Sequence, residues 1–194
     1  VKILIACEFS GIVRDAFIAK GHQATSCDFL PPETQGPHYQ GDVTKILGDG
    51  WDMMIAHPPC TYLAVSGLHW NHRVAGRSQK TEEALAFVRT LMAAPIERIC
   101  LENPVSCISS RIRKPDQIIH PWMFGEDASK TTCLWLKNLP KLTPTNIIKK
   151  ERYANQTPSG QNKLGPSPTR AMERSRTYLG IAQAMADQWG GPHE

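Results

Sequence analysis

The chain has 194 residues, enough for one sizeable core and short for two independent domains, so residues 1–194 are read as a single domain. Its six cysteines are scattered with no Cys-x-x-Cys pair and several sit in apolar runs, which fits reduced thiols and argues against a disulfide framework. The net charge of +4 is uneven: residues 1–100 hold 9 Lys+Arg against 10 Asp+Glu and residues 101–194 hold 13 against 8, so the second half is the one suited to a polyanion.

The elements alternate from the start. "VKILIACEF" is a β-branched apolar run, Ser10-Gly11 punctuates it, and "IVRDAFIAKG" places Val13, Phe17 and Ile18 at helical spacing before Gly21. "HQATSCDF" reads as a second strand ending on an acid, "PPETQGPHYQ" as loop, "GDVTKIL" as a short turn and "WDMMIAHPP" as another buried strand. "KTEEALAFVRTLMAAP" predicts a helix with Thr81 as N-cap, Glu82 and Glu83 in its first turn, and Pro95 as its break; "ERICLENP" is the next strand. Repeated βα units predict an α/β fold, Rossmann-like, with a mostly parallel sheet flanked by helices. Further on, "TTCLWLKNL" reads as a strand and "SRTYLGIAQAMADQW" as a C-terminal helix. Between them, residues 138–173 are rich in Pro, Lys, Asn, Ser and Gly and read as a flexible surface segment. The chain opens directly into a strand-like run and has no apolar stretch near the ~18 residues of a membrane span, so the expectation is a soluble, cytoplasmic protein with no membrane partner.

In an open parallel sheet, ligands bind beyond the carboxyl ends of the strands. The chemistry-bearing residues gather there: Glu8-Phe9-Ser10-Gly11 after the first strand, Cys27-Asp28 after the second, Gly41-Asp42 at the next turn, Pro58-Pro59-Cys60 and Glu102-Asn103-Pro104. A carboxylate at the end of the second strand can accept hydrogen bonds from both ribose hydroxyls, which makes Asp28 a candidate for a nucleoside. Gly11 permits close approach to the first turn. Ile12 and Val13 stand where a dinucleotide fingerprint carries glycine, and no Gly-Lys-Ser/Thr phosphate loop exists, so the better match is a nucleoside cofactor without a pyrophosphate. His69 and His72 lie three apart with His57 near Cys60, but no second strong ligand pair accompanies them and no metal is assigned. Tyr62 and Trp70 could stack on a base, although local packing is the commoner role of such loop aromatics.

Taken together, these motifs resemble those of the DNA cytosine-5 methyltransferases in content and order. Phe9-Ser10-Gly11 looks like that family's cofactor turn, Asp28 like its ribose-binding acid, and Gly41-Asp42-Val43 like its adenine-contacting segment. "PPCTYLAVSG" resembles the Pro-Cys nucleophile loop, "ICLENP" the Glu-Asn-Val strand end, and "SRTYLGIAQAMADQW" the final Gly-led helix that completes the cofactor pocket. The resemblance implies S-adenosylmethionine as cofactor, bound by Phe9, Ser10, Gly11, Asp28, Asp42 and Pro58, and DNA as partner. It implies Cys60 as the nucleophile that adds to C6 of cytosine, its loop directed by Pro59, with Glu102 holding N3 and N4 of the base. Asn103, Lys130, Arg111 and Arg113 are the substrate-binding candidates. The chain departs from the family pattern in Pro-Cys-Thr for Pro-Cys-Gln, in Glu-Asn-Pro for Glu-Asn-Val, and in lacking a Gln-x-Arg-x-Arg segment, for which Lys130, Arg111 or Arg113 must substitute. Only residues 138–173 could stand in for a target-recognition region, so sequence specificity is expected to be low or supplied by a partner protein. A compact, phage-like enzyme is the resulting expectation. The alternatives are C5 modification of a pyrimidine nucleotide or RNA, and a non-catalytic nucleic-acid-binding protein on the same fold.

Overall fold

The computed structural model describes residues 1–191. Its centre is a seven-stranded sheet in the order β3-β2-β1-β4-β5-β7-β6. The strands are β1 (Lys2–Ala6), β2 (Gln23–Asp28), β3 (His38–Gln40), β4 (Met53–Ala56), β5 (Arg98–Asn103), β6 (Gln117–Ile119) and β7 (Thr132–Lys137). β1 to β5 pair in parallel, and β7 runs antiparallel to both β5 and β6. The helices are α1 (Ile12–Ala19), α2 (Val65–Leu68), α3 (Arg77–Met92), α4 (Ile108–Arg111), α5 (Arg170–Ser175) and α6 (Leu179–Trp189). The fold is the expected α/β architecture, a mostly parallel sheet flanked by helices.

The central strands read as unbroken apolar runs because both of their faces are covered. Successive side chains of a strand point to opposite faces. In β1, Leu4 and Ala6 join Leu85, Val88 and Leu91 of α3, whereas Ile3 and Ile5 join Val13 and Phe17 of α1 and Ile181, Met185 and Trp189 of α6. These strand residues are 0% exposed, and each fully buried large aliphatic contributes about 1.5–3 kcal/mol. No described helix is long and apolar enough to cross a membrane.

Several local expectations are corrected. α3 begins at Arg77, after Gly76 at φ +77°, so Thr81 lies inside the helix and is not its N-cap. There its hydroxyl donates to the Tyr62 carbonyl (2.9 Å) and accepts from Asn71 Nδ2 (2.9 Å), tying the segment after Cys60 to α3. Part of the expected loop 31–40 is β3, because His38–Gln40 finds β2 as a partner. Ile18 is 38% exposed, and the third buried position of α1 goes to Arg14. The guanidinium of Arg14 is satisfied by Ser26, Thr34 and Asp15. The C-terminal helix starts at Leu179, and Arg176–Tyr178 form an extended connection from α5. In the expected surface segment 138–173, α5 begins at Arg170; residues 138–169 contain no named strand or helix, Asn155 exchanges hydrogen bonds with the Ser129 backbone, and Lys150 pairs with Asp127 (2.6 Å).

Candidate active site

The strand order reverses between β1 and β4: β1 is followed in sequence by its neighbour on one side, β4 by its neighbour on the other. A crevice opens beyond the carboxyl ends of strands at such a point. Here Cys7, Glu8, Phe9 and Ser10 after β1, His57 after β4, and Ser175, Arg176 and Thr177 ahead of α6 surround a cleft of only about 10 Å³, so a ligand larger than water requires Arg176 and its neighbours to move outward.

The first turn is built by its own carboxylate. Cys7 leaves β1 at φ +60°, which turns the chain and brings Glu8 beneath the start of α1. Gly11 precedes that helix with no side chain to cap it. Instead Glu8 Oε1 accepts from the Val13 amide (2.7 Å) and Oε2 from the Arg14 amide (3.3 Å), while Ser10 Oγ donates to Oε1 (3.2 Å). The first amides of a helix form an anion site. In this protein that site is taken by Glu8, which is 5% exposed, so the turn offers no berth for a pyrophosphate. Gly11, at φ +78°, is approached by Thr34 Oγ1 and the Arg14 guanidinium, and a Cβ there would lie 2.3 Å and 2.5 Å from them. Its close approach is therefore to protein atoms. Asp28 Oδ1 accepts from the Leu30 amide (2.9 Å), and Asp42 Oδ1 accepts from the amide and hydroxyl of Thr44 (2.9 and 2.8 Å), which holds the Asp42 carboxyl below its ordinary pKa.

β4 and β5 carry the second cluster. The His57 amide donates to Ala6 O (2.9 Å), the last tie to the sheet before Pro58-Pro59-Cys60. Pro58 is buried, whereas Pro59 and Cys60 are exposed. Asn103, 2% exposed at the end of β5, donates from Nδ2 to the Pro58 carbonyl (2.9 Å). This bond ties the Cys60 loop to the strand whose preceding residue is Glu102. Leu63 and Ala64 donate back to Cys60 O (3.0 and 2.9 Å), closing a tight turn around the thiol-bearing residue.

Glu102 is 8% exposed and surrounded by donors. His57 Nδ1 lies 2.9 Å from its Oε2, Thr177 Oγ1 donates to Oε2 at 3.4 Å, and Lys130 Nζ is 4.0 Å from Oε1. Burial pushes the Glu102 carboxyl up, but the His57 imidazole, then Lys130 and Thr177, outweigh it and hold its pKa at about 2. Burial opposes charge on His57, and Glu102 beside it and Glu8 overcome this, leaving its pKa above the ordinary 6.5. His57 Nε2 and Asn103 Oδ1 are buried with no hydrogen-bond partner among the described residues.

Of the three basic candidates, the structure brings Lys130 to Glu102; Lys130 also donates to Arg174 O (3.0 Å). Arg111 is bonded to the Glu82 carboxylate on α3 (2.8 and 3.0 Å), and Arg113 to Asp116 (2.7 Å) and Leu136 O (3.0 Å). Neither arginine is in the Glu102 cluster. In the sequence Glu8 is one of the strand-end residues and Arg176 and Thr177 lie in the last motif, but none has an individual role there, and Glu33 is not singled out. Arg176 pairs with Glu33 and lies 5.8 Å over the Phe9 ring, closing the cleft from above. An acid four residues before an uncapped helix start was the available signal for Glu8. The others meet only through tertiary structure.

Beyond Cys60, the chain carries no acidic residue from Met53 to Thr81. Trp70 is 45% exposed with the Arg73 guanidinium 5.8 Å from its ring, and Arg77 lies 5.0 Å over Tyr62. His69 and His72 are exposed on the same segment. Trp70 is thus half-exposed, with its ring also against His69 (centroids 4.8 Å) and the Arg73 guanidinium.

No family model matches the chain, and no curated protein matches it. Among solved structures, a prophage-encoded E. coli protein described as a DNA modification methyltransferase is similar, with a TM-score of 0.46 and 15% identity over 76% of this chain and 52% of that one. The chain spans about half the length of that structure.

Proposed function

We propose that the chain is an S-adenosylmethionine-dependent methyltransferase acting at C5 of cytosine in DNA, through a covalent Cys60 adduct at C6. The observation that carries this reading is the Asn103 Nδ2 to Pro58 carbonyl bond, 2.9 Å, which couples the Cys60 loop to the strand end bearing Glu102. A nucleophile and a buried carboxylate anchored to adjacent strand ends suit attack on one edge of a flat ring while its opposite edge is held.

The cofactor cleft supports a nucleoside ligand without phosphates, because Glu8 already satisfies the α1 amides that a phosphate would use. Phe9 and Ser10 line that cleft, Gly11 turns the chain into α1, and Asp28 at the end of β2 is the carboxylate for a ribose. Asp42 and Pro58 complete the proposed binding set. When bound, S-adenosylmethionine supplies an electrophilic methyl group. Cytosine C5 is a poor nucleophile until the Cys60 thiolate adds at C6, and loss of the C5 proton followed by departure of the thiolate restores the ring. Glu102 accepts from the exocyclic amine, and Asn103 Oδ1, buried and unpartnered, is a further acceptor at that edge. Lys130 substitutes for the absent arginine segment. The acid-free stretch 53–81, with Trp70 under Arg73, supports passage of a nucleic-acid strand beside Cys60, where the target base must be unstacked.

The test is nucleoside mass spectrometry of DNA incubated with cofactor and either wild type or Cys60→Ala, on single- and double-stranded substrates, with trapping on 5-fluorocytosine DNA alongside. Wild type should yield 5-methylcytosine and a covalent complex, and the variant neither, with cofactor binding retained. Full activity in Cys60→Ala rejects the covalent mechanism. Cofactor binding with no modified cytosine in wild type rejects the DNA substrate and favours a nucleotide or RNA pyrimidine.

A further inference from the structure

Addition of a thiolate at C6 drives negative charge toward N3, and the adduct forms readily only if a proton reaches that nitrogen. Glu102, as the structure holds it, is an ionised acceptor and brings no proton of its own. The proton in this pocket sits on the neighbour 2.9 Å away. Resting on the cytosine reading above, we propose that His57 is the proton partner of Glu102: its Nδ1 proton passes through the Glu102 carboxylate to N3 of the base as Cys60 adds, and returns the same way when the thiolate leaves.

Three observations carry this. The His57 and Glu102 side chains are each 9% exposed, so the exchange is shielded from bulk water. His57 directly precedes Pro58-Pro59-Cys60, and its amide is fixed to Ala6 O, so the backbone that places the nucleophile also places the imidazole. Its other nitrogen, Nε2, is buried without a partner among the described residues, so the Nδ1 contact with Glu102 is the one side-chain bond that orients the ring. The charged groups facing the pair are Glu8 from the β1 turn and Lys130 ahead of β7, with Arg176 on the far wall of the cleft.

The step balances. The Cys60 thiolate forms the S–C6 bond, the C5–C6 π pair moves toward C5 and the conjugated C4–N3 unit, N3 takes a proton from Glu102, and Glu102 takes the Nδ1 proton of His57. After C5 has received the methyl group, its proton leaves to solvent, the C6–S bond breaks with its pair on sulfur, and the N3 proton returns through Glu102 to Nδ1. His57 is thus a positioning and proton-storing residue acting through Glu102.

The test compares wild type with His57→Asn, whose amide can still donate to Glu102 near the Nδ1 position but cannot titrate. With saturating cofactor and cytosine DNA, wild-type kcat should fall as pH rises through the His57 pKa, above 6.5. His57→Asn should lose at least tenfold in kcat at pH 7, with KM little changed and the alkaline limb abolished. Unchanged kcat and an unchanged pH profile overturn the proposal. Should the variant not fold, 15N-histidine NMR of wild type and Glu102→Gln decides: one imidazolium must titrate above the ordinary 6.5 in wild type and revert in Glu102→Gln, and its absence from wild type overturns the proposal equally. Failure of wild type to methylate cytosine is a separate result, which removes the underlying reading.

Discussion

Asn103→Ala removes the link between the Cys60 loop and β5 together with the Oδ1 acceptor. The Nδ2 donor is 2.9 Å from the carbonyl of buried Pro58, and Asn103 itself is 2% exposed, so its removal leaves a buried acceptor unpaired. Such an orphan costs about 1–3 kcal/mol. The cost falls on the arrangement in which Pro58 is buried against β5, and a loop that relieves it by swinging outward carries Cys60 away from Glu102. If the full cost is expressed as a lower population of the competent loop, the adduct-forming rate falls about 5- to 150-fold, at about 1.4 kcal/mol per tenfold. The assay is the single-turnover rate of covalent trapping on 5-fluorocytosine DNA, with the thermal midpoint and cofactor affinity of the same samples. Trapping should slow within that range while cofactor affinity holds. A trapping rate within twofold of wild type, with only the melting point lowered, would refute the coupling and make Asn103 a packing residue.

Glu102 and His57 also predict how stability follows pH. The Glu102 carboxyl is depressed from 4.5 to about 2, so its contribution is present above pH 4.5 and lost as pH falls through about 2. That of His57, raised above 6.5, is present below 6.5 and lost as pH rises through its folded value. The pair is therefore worth most between pH 4.5 and 6.5. Urea denaturation from pH 2 to 8 should show an acid loss of about 3 kcal/mol attributable to Glu102, and both slopes should flatten in Glu102→Gln; parallel curves for the two proteins would contradict the pairing. Gly180→Ala should destabilise by at least ~1–3 kcal/mol, since a Cβ there would lie 2.0 Å from the Phe124 carbonyl oxygen, and backbone cannot yield as a side chain can; an unchanged denaturation midpoint counts against this packing. Asp28→Ala should weaken S-adenosylmethionine binding at least tenfold by calorimetry with little change in thermal stability, and undiminished affinity would remove Asp28 from the ribose.

The central strands and the acids at their ends were legible because a strand buried on both faces must be apolar throughout, and its polar residues can begin only where it leaves the sheet. Leu4 and Ile5 illustrate the first condition, Asp28 and Glu102 the second. β3 and β6 were not legible: each spans three residues and is extended because a neighbouring strand pairs with it. The start of α3 was obscured because its first four residues, Arg77 to Lys80, are all polar, whereas Thr81 and the two glutamates after it mimic a capped helix start. Gly180 was read as the leader of the last helix; its contact with Phe124 adds a packing requirement that only the tertiary structure exposes.

Glu8 and Glu102 show how partners divide two buried carboxylates between support and chemistry. Glu8 accepts from two α1 amides and the Ser10 hydroxyl, donors that hold their protons at any accessible pH, so it anchors the turn and acts on His57 only through its field. Glu102 faces an imidazole, an ammonium group and a hydroxyl, and the first of these is the partner that most readily changes its protonation. Position at a strand end makes either acid a candidate. What singles out Glu102 is that its nearest partner can change charge, and that this partner stands three residues before Cys60.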